Sequence, residues 1–166
     1  NEFEVSISRS ESINRNGFDN VEFLISTNPG EPLMPLAKIA SGGEISRIML
    51  SFKHVTGAGD MVPTMIFDEI DTGISGKAAL VVGKKLREIS SHHQIICITH
   101  LPQIAVYGKH NYQIAKDVSN GRSITSITPL DDEANIKNLA VMISGKDSSD
   151  SAIEMAKELA SSVDIV

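Results

Sequence analysis

The chain of 166 residues has no long apolar run and no block of basic residues. Its apolar runs are far shorter than the roughly 20 residues that a membrane-spanning helix needs. The first residues, Asn1 to Val5, do not resemble a signal peptide. These absences predict a cytoplasmic protein with no membrane partner, and the missing initiator methionine indicates a chain that starts inside a longer protein.

Cysteine is nearly absent as well. Cys97 is the single cysteine and lies in an apolar run, so no disulfide can form within the chain and a buried structural thiol is favoured over a reactive one. The other histidines (His54, His92, His93 and His110) show no metal-ligand spacing with Cys97 or with one another, so we assign no zinc.

Basic charge is also scarce, since the net charge is −6 and the isoelectric point is about 5.3. Phosphate contacts need clustered lysine and arginine, so the chain is expected to bind nucleic acid poorly by itself. Any DNA contact is expected elsewhere in a longer protein, or on a local patch that the sequence does not reveal.

A phosphate-binding loop of the form Gly-x-x-x-x-Gly-Lys-Ser/Thr is missing. The nearest candidates, Gly76-Lys77 and Gly145-Lys146, lack the hydroxyl residue after lysine. Such a loop supplies the backbone amides and the lysine that hold the β- and γ-phosphates. The chain alone is therefore expected to have no useful ATP hydrolysis.

The elements that are present predict an α/β fold in a single domain over residues 1–166, with enough apolar residues for one core. Residues 64–67 and 94–99 are continuous apolar runs, typical of strands buried on both faces. One helix between them makes a β-α-β unit and favours a parallel pair. The other predicted elements are a hairpin in the first 27 residues, a proline-rich loop over 28–35, helices over 41–57, 76–89, 134–143 and 151–160, and a hairpin of 112–115 with 123–127.

Two carboxylates, Asp68 and Glu69, end the first buried strand. Ligands gather at the carboxyl ends of parallel strands, and adjacent side chains there point in different directions. One carboxylate can hold Mg²⁺ through water, and the other can orient or deprotonate an attacking water. A helix cap and a solvated charge explain the pair equally well. Asp71, in a turn with Gly73, is by itself better explained as a turn or cap residue.

Ser41, Gly42 and Gly43 open a helix whose free amides and dipole suit an anion. An ordinary cap is the better explanation of this tripeptide alone, with Glu44 completing a capping box. His100 ends the second strand, where it could reach a phosphate oxygen or an attacking water. A single histidine at such a position is more often structural.

Two further predictions concern the helix that follows Ser41. The residues Ile45, Ile48, Met49 and Phe52 recur at helical spacing, which predicts an apolar stripe. Arg47 lies on the other side, where a solvated helix charge is favoured over a functional contact.

The order of these motifs resembles the second half of an ABC-type ATPase head, which carries a signature motif, a Walker B strand, a D-loop and a switch histidine. The longer strings are similar to the RecN family of bacterial SMC-like proteins of DNA double-strand-break repair. These strings are GGEISR at 42–47, FDEIDTGISG at 67–76 and ITHLPQIA at 98–105. The resemblance covers residues 28–116 well, and the chain ends fit in outline; the helix at 136–145 lacks charged residues usual in the family.

This resemblance implies a role for each motif residue. Ser41, Gly42 and Gly43 would contact the γ-phosphate of ATP held by a partner head, and Asp68 would act on Mg²⁺. Glu69 would be the catalytic base, His100 the switch histidine, and Asp71 the D-loop aspartate at the head–head contact.

The resemblance also implies partners. They are an N-terminal half with the Walker A motif, a second head in a homodimer, and DNA through the full-length protein, in a cytoplasmic, nucleoid-associated setting. Without the first half, an apolar sheet edge would be exposed, leading to self-association or a partly disordered N-terminal hairpin.

Two alternatives stay open. One is a head of another SMC-like or ABC protein, although Leu101-Pro102-Gln103 and Thr72-Gly73-Ile74 argue against a transporter. The other is a non-enzymatic interaction module.

Overall fold

The computed structural model describes residues 2–26, 30–38, 41–56, 61–119, 122–145 and 149–163. The chain divides into two compact units, Asn1–Ser41 and Gly42–Val166. The single domain predicted over residues 1–166 stays a prediction. No helix in the described part of the chain is both long and apolar enough to cross a bilayer.

The first unit contains the predicted hairpin of β1 (Glu2–Asn14) and β2 (Gly17–Ser26), which pair antiparallel. A two-residue strand, β3 (Met34–Pro35), adds to β2 and is followed by a 3-10 turn over Leu36–Lys38. The prediction of an unpaired loop around Pro35 was therefore wrong. A proline is tolerated there because β3 is an edge strand, where a missing N–H costs no ladder bond.

The second unit holds the predicted β-α-β arrangement. Its elements are α1 (Gly42–Thr56), β4 (Thr64–Phe67), α2 (Gly76–Ile89), β5 (Gln94–Cys97), α3 (Pro102–Ala105), β6 (Tyr112–Ser119), β7 (Arg122–Pro129), α4 (Asp132–Ser144) and α5 (Asp150–Val163). Strands β4 and β5 are parallel, with Thr64 opposite Gln94 and Phe67 opposite Cys97. Strands β6 and β7 form the second predicted hairpin. The sequence did not predict α3, a single turn that starts at Pro102.

The core of the second unit lies under the parallel strands. Helix α2 buries four apolar residues at helical spacing, and they pack with Met65, Phe67 and Ile70; the four are Ala79, Val82, Leu86 and Ile89. A second cluster joins α4 and α5 through Leu139, Ala140, Ala152 and Ala156. Gly145 ends α4 in the left-handed conformation, with φ of 71°.

The prediction that β4 and β5 are buried on both faces was wrong. Met65 and Phe67 face the core, whereas Ile66 is 68% exposed. Its neighbours across the ladder and along the chain, Ile96 and Ile98, are also exposed. Because side chains alternate along a strand, these three isoleucines share one face, which we call the open sheet face.

Helix α1 forms where predicted, but its apolar stripe is only partly covered, since Ile48 and Phe52 are half-buried. Ile45 and Met49 of the apolar stripe are exposed, and the buried residues are Gly43 and Leu50. Arg47 lies between them on the same side, at helical spacing. Because Gly43 has no side chain, this side of α1 can lie closest to the end of β4. The apolar pattern of the helix alone does not reveal this.

Candidate active site

Three of the predicted site residues follow the two parallel strands. Asp68 and Glu69 come directly after β4, and His100 comes three residues after β5. The parallel pairing places all three at the same end of the sheet. All three are exposed, and the His100 side chain is 75% accessible to solvent. The structure therefore presents these groups outward at the strand ends, as the sequence predicted.

Glu69 has an unusual backbone. Its φ is +56°, and it is the only non-glycine residue with a positive φ in the described part of the chain. Such a conformation costs on the order of 1–3 kcal/mol and persists where surrounding contacts impose it. Here the Thr72 amide donates to the Glu69 carbonyl at 3.0 Å, and the Glu69 amide donates to Asp68 Oδ1 at 2.9 Å. These bonds fix the turn that aims the Glu69 carboxylate.

That carboxylate lies against the first turn of α1. A Cβ added to Gly42 would lie 2.6 Å from Glu69 Oε2, so a side chain at Gly42 would meet the carboxylate. The N-terminus of a helix carries partial positive charge, which favours an acidic group there. The glycine start of α1 and the acidic turn after β4 are therefore in contact within the second unit.

Gly43 brings the two backbones together. A Cβ at Gly43 would lie 2.8 Å from the Glu69 carbonyl oxygen and 2.9 Å from the Thr72 carbonyl oxygen. Both are backbone atoms that cannot turn away, so glycine is required at this position. Ser41, the last residue of the first unit, directly precedes α1. The roles of Ser41, Gly42 and Gly43 toward a phosphate stay predictions.

Two residues of α1 that the sequence did not assign to the site hold the acidic turn. Ser46 donates its hydroxyl to the Asp68 carbonyl at 2.9 Å. Arg47 donates through Nη1 to the Ile70 carbonyl at 3.1 Å and to the Thr72 carbonyl at 2.7 Å. The preference for a solvated charge at Arg47 was therefore wrong. The string GGEISR contains both Ser46 and Arg47 and could have pointed to them, but it did not show which of its residues face the turn.

Asp71 has a different environment from the other two carboxylates. It is only 3% exposed, and its Oδ2 accepts from Thr99 Oγ1 at 2.6 Å and from the His100 amide at 2.8 Å. His100 Nδ1 lies 3.0 Å from the same oxygen. Burial would raise the pKa of Asp71, but the bonds from Thr99 and His100 and the charge of His100 outweigh it and hold the pKa below its usual value. The head–head role of Asp71 stays a prediction.

Asp68 is the residue that would hold Mg²⁺. Its carboxylate is exposed, and one oxygen accepts from the Glu69 amide. Magnesium usually takes one or two protein carboxylates and completes its shell with water and substrate phosphates, which one open carboxylate fits. Across the described ranges, no group of three or more histidine, cysteine, aspartate or glutamate side chains is arranged to hold a metal ion by itself.

No protein-family model matches the chain, but individual proteins do. It is 48% identical over 143 residues to the DNA repair protein RecN of Vibrio cholerae, which covers 86% of this chain. It is 48% identical over 144 residues to RecN of Halalkalibacterium halodurans, and 43% identical over 150 residues to RecN of Bacillus subtilis. These matches cover 87% and 90% of this chain.

The chain belongs to the RecN family. It spans about a quarter of the length of the RecN relatives that it matches, with 26% of each of these three covered. The family predicted from the glycine turn, the acidic strand end and the histidine is therefore confirmed.

Solved structures support the fold expected for the RecN family. An Smc head domain with a coiled coil and joint from Pyrococcus yayanosii matches with a TM-score of 0.57 at 20% identity, covering 87% of this chain and 26% of that one. A chain from a study of ATP-driven dimerization and DNA-stimulated activation of SMC ATPases matches with a TM-score of 0.50, also at 20% identity, covering 78% of this chain and 76% of that one. The predicted fold, part of an SMC-type ATPase head with a parallel sheet and added hairpins, is confirmed.

Proposed function

We propose that this chain supplies the signature loop, the Walker B carboxylates and the switch histidine of a composite ATPase site in a RecN-type protein of DNA double-strand-break repair and recombination. One observation carries the proposal. The acidic end of β4 and the glycine start of α1 are in direct contact through Glu69, Gly42 and Gly43, beside the strand that leads to His100.

Each group has a distinct task in this proposal. Asp68 binds Mg²⁺ on ATP through its open carboxylate oxygen, and Glu69 removes a proton from the attacking water. His100 contacts the γ-phosphate or that water. The amides of the Ser41–Gly43 turn bind the γ-phosphate of ATP held by a second head, because that phosphate is an anion at a helix N-terminus.

The missing phosphate loop is supplied by another part of the protein. Relatives are about four times as long as the matched segment, which leaves room for a half with the Walker A motif and for DNA-contacting regions. Two exposed apolar surfaces support docking of that half. One is the open sheet face, and the other is the β1–β2 face, where Phe3 and Phe23 stack and are 48% and 40% exposed.

The test is ATP binding and hydrolysis with Mg²⁺, measured for this chain, for the separately expressed N-terminal half of its parent, and for their mixture. Turnover is expected only in the mixture. Glu69→Gln should lower kcat by roughly 10²–10⁴, the usual contribution of a positioned acid–base group, while ATP binding remains. Ser41→Arg should also abolish turnover, because it fills the phosphate-binding turn.

The matched control is Glu154→Gln, which removes the same charge from an exposed position on α5, where Glu154 pairs with Lys157. Its turnover should equal that of the unchanged protein. Turnover by this chain alone that Glu69→Gln abolishes would show that no second half is needed. If the mixture fails to bind ATP, the chain is an interaction module whose acidic strand end is structural.

A further inference from the structure

The histidine at the end of β5 is held by a carboxylate that solvent barely reaches. Asp71 Oδ2 accepts hydrogen bonds from the Thr99 hydroxyl and the His100 amide, and His100 Nδ1 lies 3.0 Å from the same oxygen. Asp71 is 4% exposed at its side chain and His100 is 75% exposed. The pair therefore joins a fixed, buried acceptor to an outward-facing ring.

The negative charge of Asp71 favours one position for the proton of the neutral His100 ring. An ionised carboxylate has no proton to donate, and a ring nitrogen lone pair that faced it at 3.0 Å would be repelled, so a proton on His100 Nδ1 is favoured. In the neutral ring, Nε2 is then the nitrogen with the free lone pair. That nitrogen can accept from a water, or donate to a phosphate oxygen once it is protonated.

Asp71 is itself held on both sides. Arg47 donates to the carbonyls of Ile70 and Thr72, the residues that flank Asp71 in the chain. The Ile74 amide donates to the Asp71 carbonyl at 3.3 Å. The turn that carries Asp71 is thus held by α1 through Arg47, and Asp71 in turn contacts the His100 ring.

We propose that Asp71 is a positioning residue for His100: it favours the Nδ1–H tautomer of the imidazole and leaves Nε2, on the exposed ring, as the nitrogen available to a ligand. The purpose of the Asp71–His100 pairing rests on the proposed function, because only there does His100 act on ATP. The contact between the two residues is present in this chain whatever its function. It gives Asp71 a task within its own head, separate from any contact with a second head.

The tautomer can be measured directly by long-range ¹H–¹⁵N correlation NMR on the chain with ¹⁵N-labelled histidine, near pH 9, where ordinary imidazoles are neutral. His100→Gln assigns the His100 signal among the five histidines. His93 is an internal reference, because its Nδ1 lies 2.7 Å from the Val62 carbonyl, which can only accept. His100 should show the same Nδ1–H pattern as His93, although it is exposed. An Nε2–H signal at His100 would overturn the proposal without any variant.

Two substitutions separate positioning from a structural effect. Asp71→Ala should move His100 from the Nδ1–H pattern toward the pattern of the exposed His110, while His93 stays unchanged. Thr99→Val is the matched control. It removes one bond to Asp71 and one from the Leu101 amide, but it keeps the contact between Asp71 and the ring. It should lower stability and leave the tautomer as it was. An unchanged His100 signal in folded Asp71→Ala contradicts the proposal.

Turnover in the assembled protein provides the second readout. Asp71→Ala should lower kcat by roughly 10- to 100-fold, a part of what an oriented acid–base group contributes, with a smaller change in KM for ATP. A normal kcat in Asp71→Ala would overturn the positioning role. If the tautomer is Nδ1–H and the assembled protein shows no ATPase activity, the proposed function fails while the Asp71–His100 pairing stands.

Discussion

At the scale of single residues, neighbouring groups at the two strand ends have opposite environments. Asp68 and Glu69 are open to solvent, whereas Asp71 is buried and accepts two hydrogen bonds at Oδ2. Cys97, at the end of β5, packs against the core from a partly buried position. Burial, and then the charges of Asp71 and Asp68, raise the pKa of its thiol to about 12. The acidic turn thus protects the one cysteine that lies beside it.

This environment predicts that Cys97 is unreactive in the folded chain. At pH 8 a thiol with a pKa of about 12 is thiolate to roughly one part in 10⁴, and the thiolate is the nucleophile. Labelling with a disulfide reagent should therefore be at least about 100-fold slower in the native chain than in urea. Its rate should rise with pH beyond pH 9. Rapid labelling of the native chain at pH 8 would contradict this.

Sequence reasoning placed three candidate residues at the strand ends, but it did not predict their surroundings. Asp68, Glu69 and His100 could be placed because a strand end follows from the apolar run before it. The burial of Asp71 and the bonds of Arg47 could not, because they depend on contacts of one turn with the segment after β5 and with a helix 22 or more residues earlier in the chain. Spacing fixes which residues are neighbours along an element, and it does not fix which way a turn directs its side chains.

At the scale of elements, the contact between α1 and the acidic turn is the feature that makes the site. It is built from two adjacent glycines with different neighbours. Gly43 faces backbone carbonyls of the turn, and Gly42 faces only the movable end of the Glu69 side chain. The predicted helix is confirmed over Gly42–Thr56, with residue 57 outside the described residues, but the burial of Gly43 was not foreseen, because a glycine carries no apolar signal.

The two glycines therefore predict different costs for the same change. Gly43→Ala should lower the free energy of unfolding by roughly 1–3 kcal/mol, because the new methyl group meets carbonyl oxygens that cannot move without shifting the turn. Gly42→Ala should change it by less than about 1 kcal/mol, because the Glu69 carboxylate can rotate away. Urea unfolding of both variants measures the difference. Equal losses would mean that α1 and the turn are not in backbone contact.

Arg47 predicts a local effect on the same turn. Arg47→Met keeps most of the side-chain stem but loses the bonds to Ile70 and Thr72. Each such charged bond contributes about 1.5–3 kcal/mol at most when buried, and less at this partly exposed position. Hydrogen exchange of the Thr72 amide should therefore become about tenfold faster or more. Arg87→Met is the control, because Arg87 also donates to a carbonyl, that of Tyr107, away from this turn. It should leave exchange at Thr72 unchanged.

At the scale of the whole molecule, apolar surface remains uncovered on both units. The β1–β2 hairpin of the first unit exposes Phe3 and Phe23, and the second unit exposes the three isoleucines of the open sheet face. Both hairpins and the parallel pair could be predicted from alternation and apolar runs. The exposure of Ile66 could not, because a continuous apolar run indicates that a strand face needs a cover and does not say which segment supplies it.

The open sheet face predicts how this chain behaves alone and with its proposed second half. The chain alone should self-associate, as measured by light scattering over a concentration series, and the N-terminal half should suppress that association. Ile66→Thr should weaken both contacts by about tenfold, since losing part of one buried isoleucine costs roughly 1.4 kcal/mol, and threonine keeps the strand preference. Val81→Thr, at a site on α2 that is 59% exposed, is the control and should change neither contact. A contradicting result would be a chain that is monomeric at all concentrations and whose binding to the N-terminal half is unaffected by Ile66→Thr. In that case this face is solvated in the assembled protein, and the second half docks elsewhere.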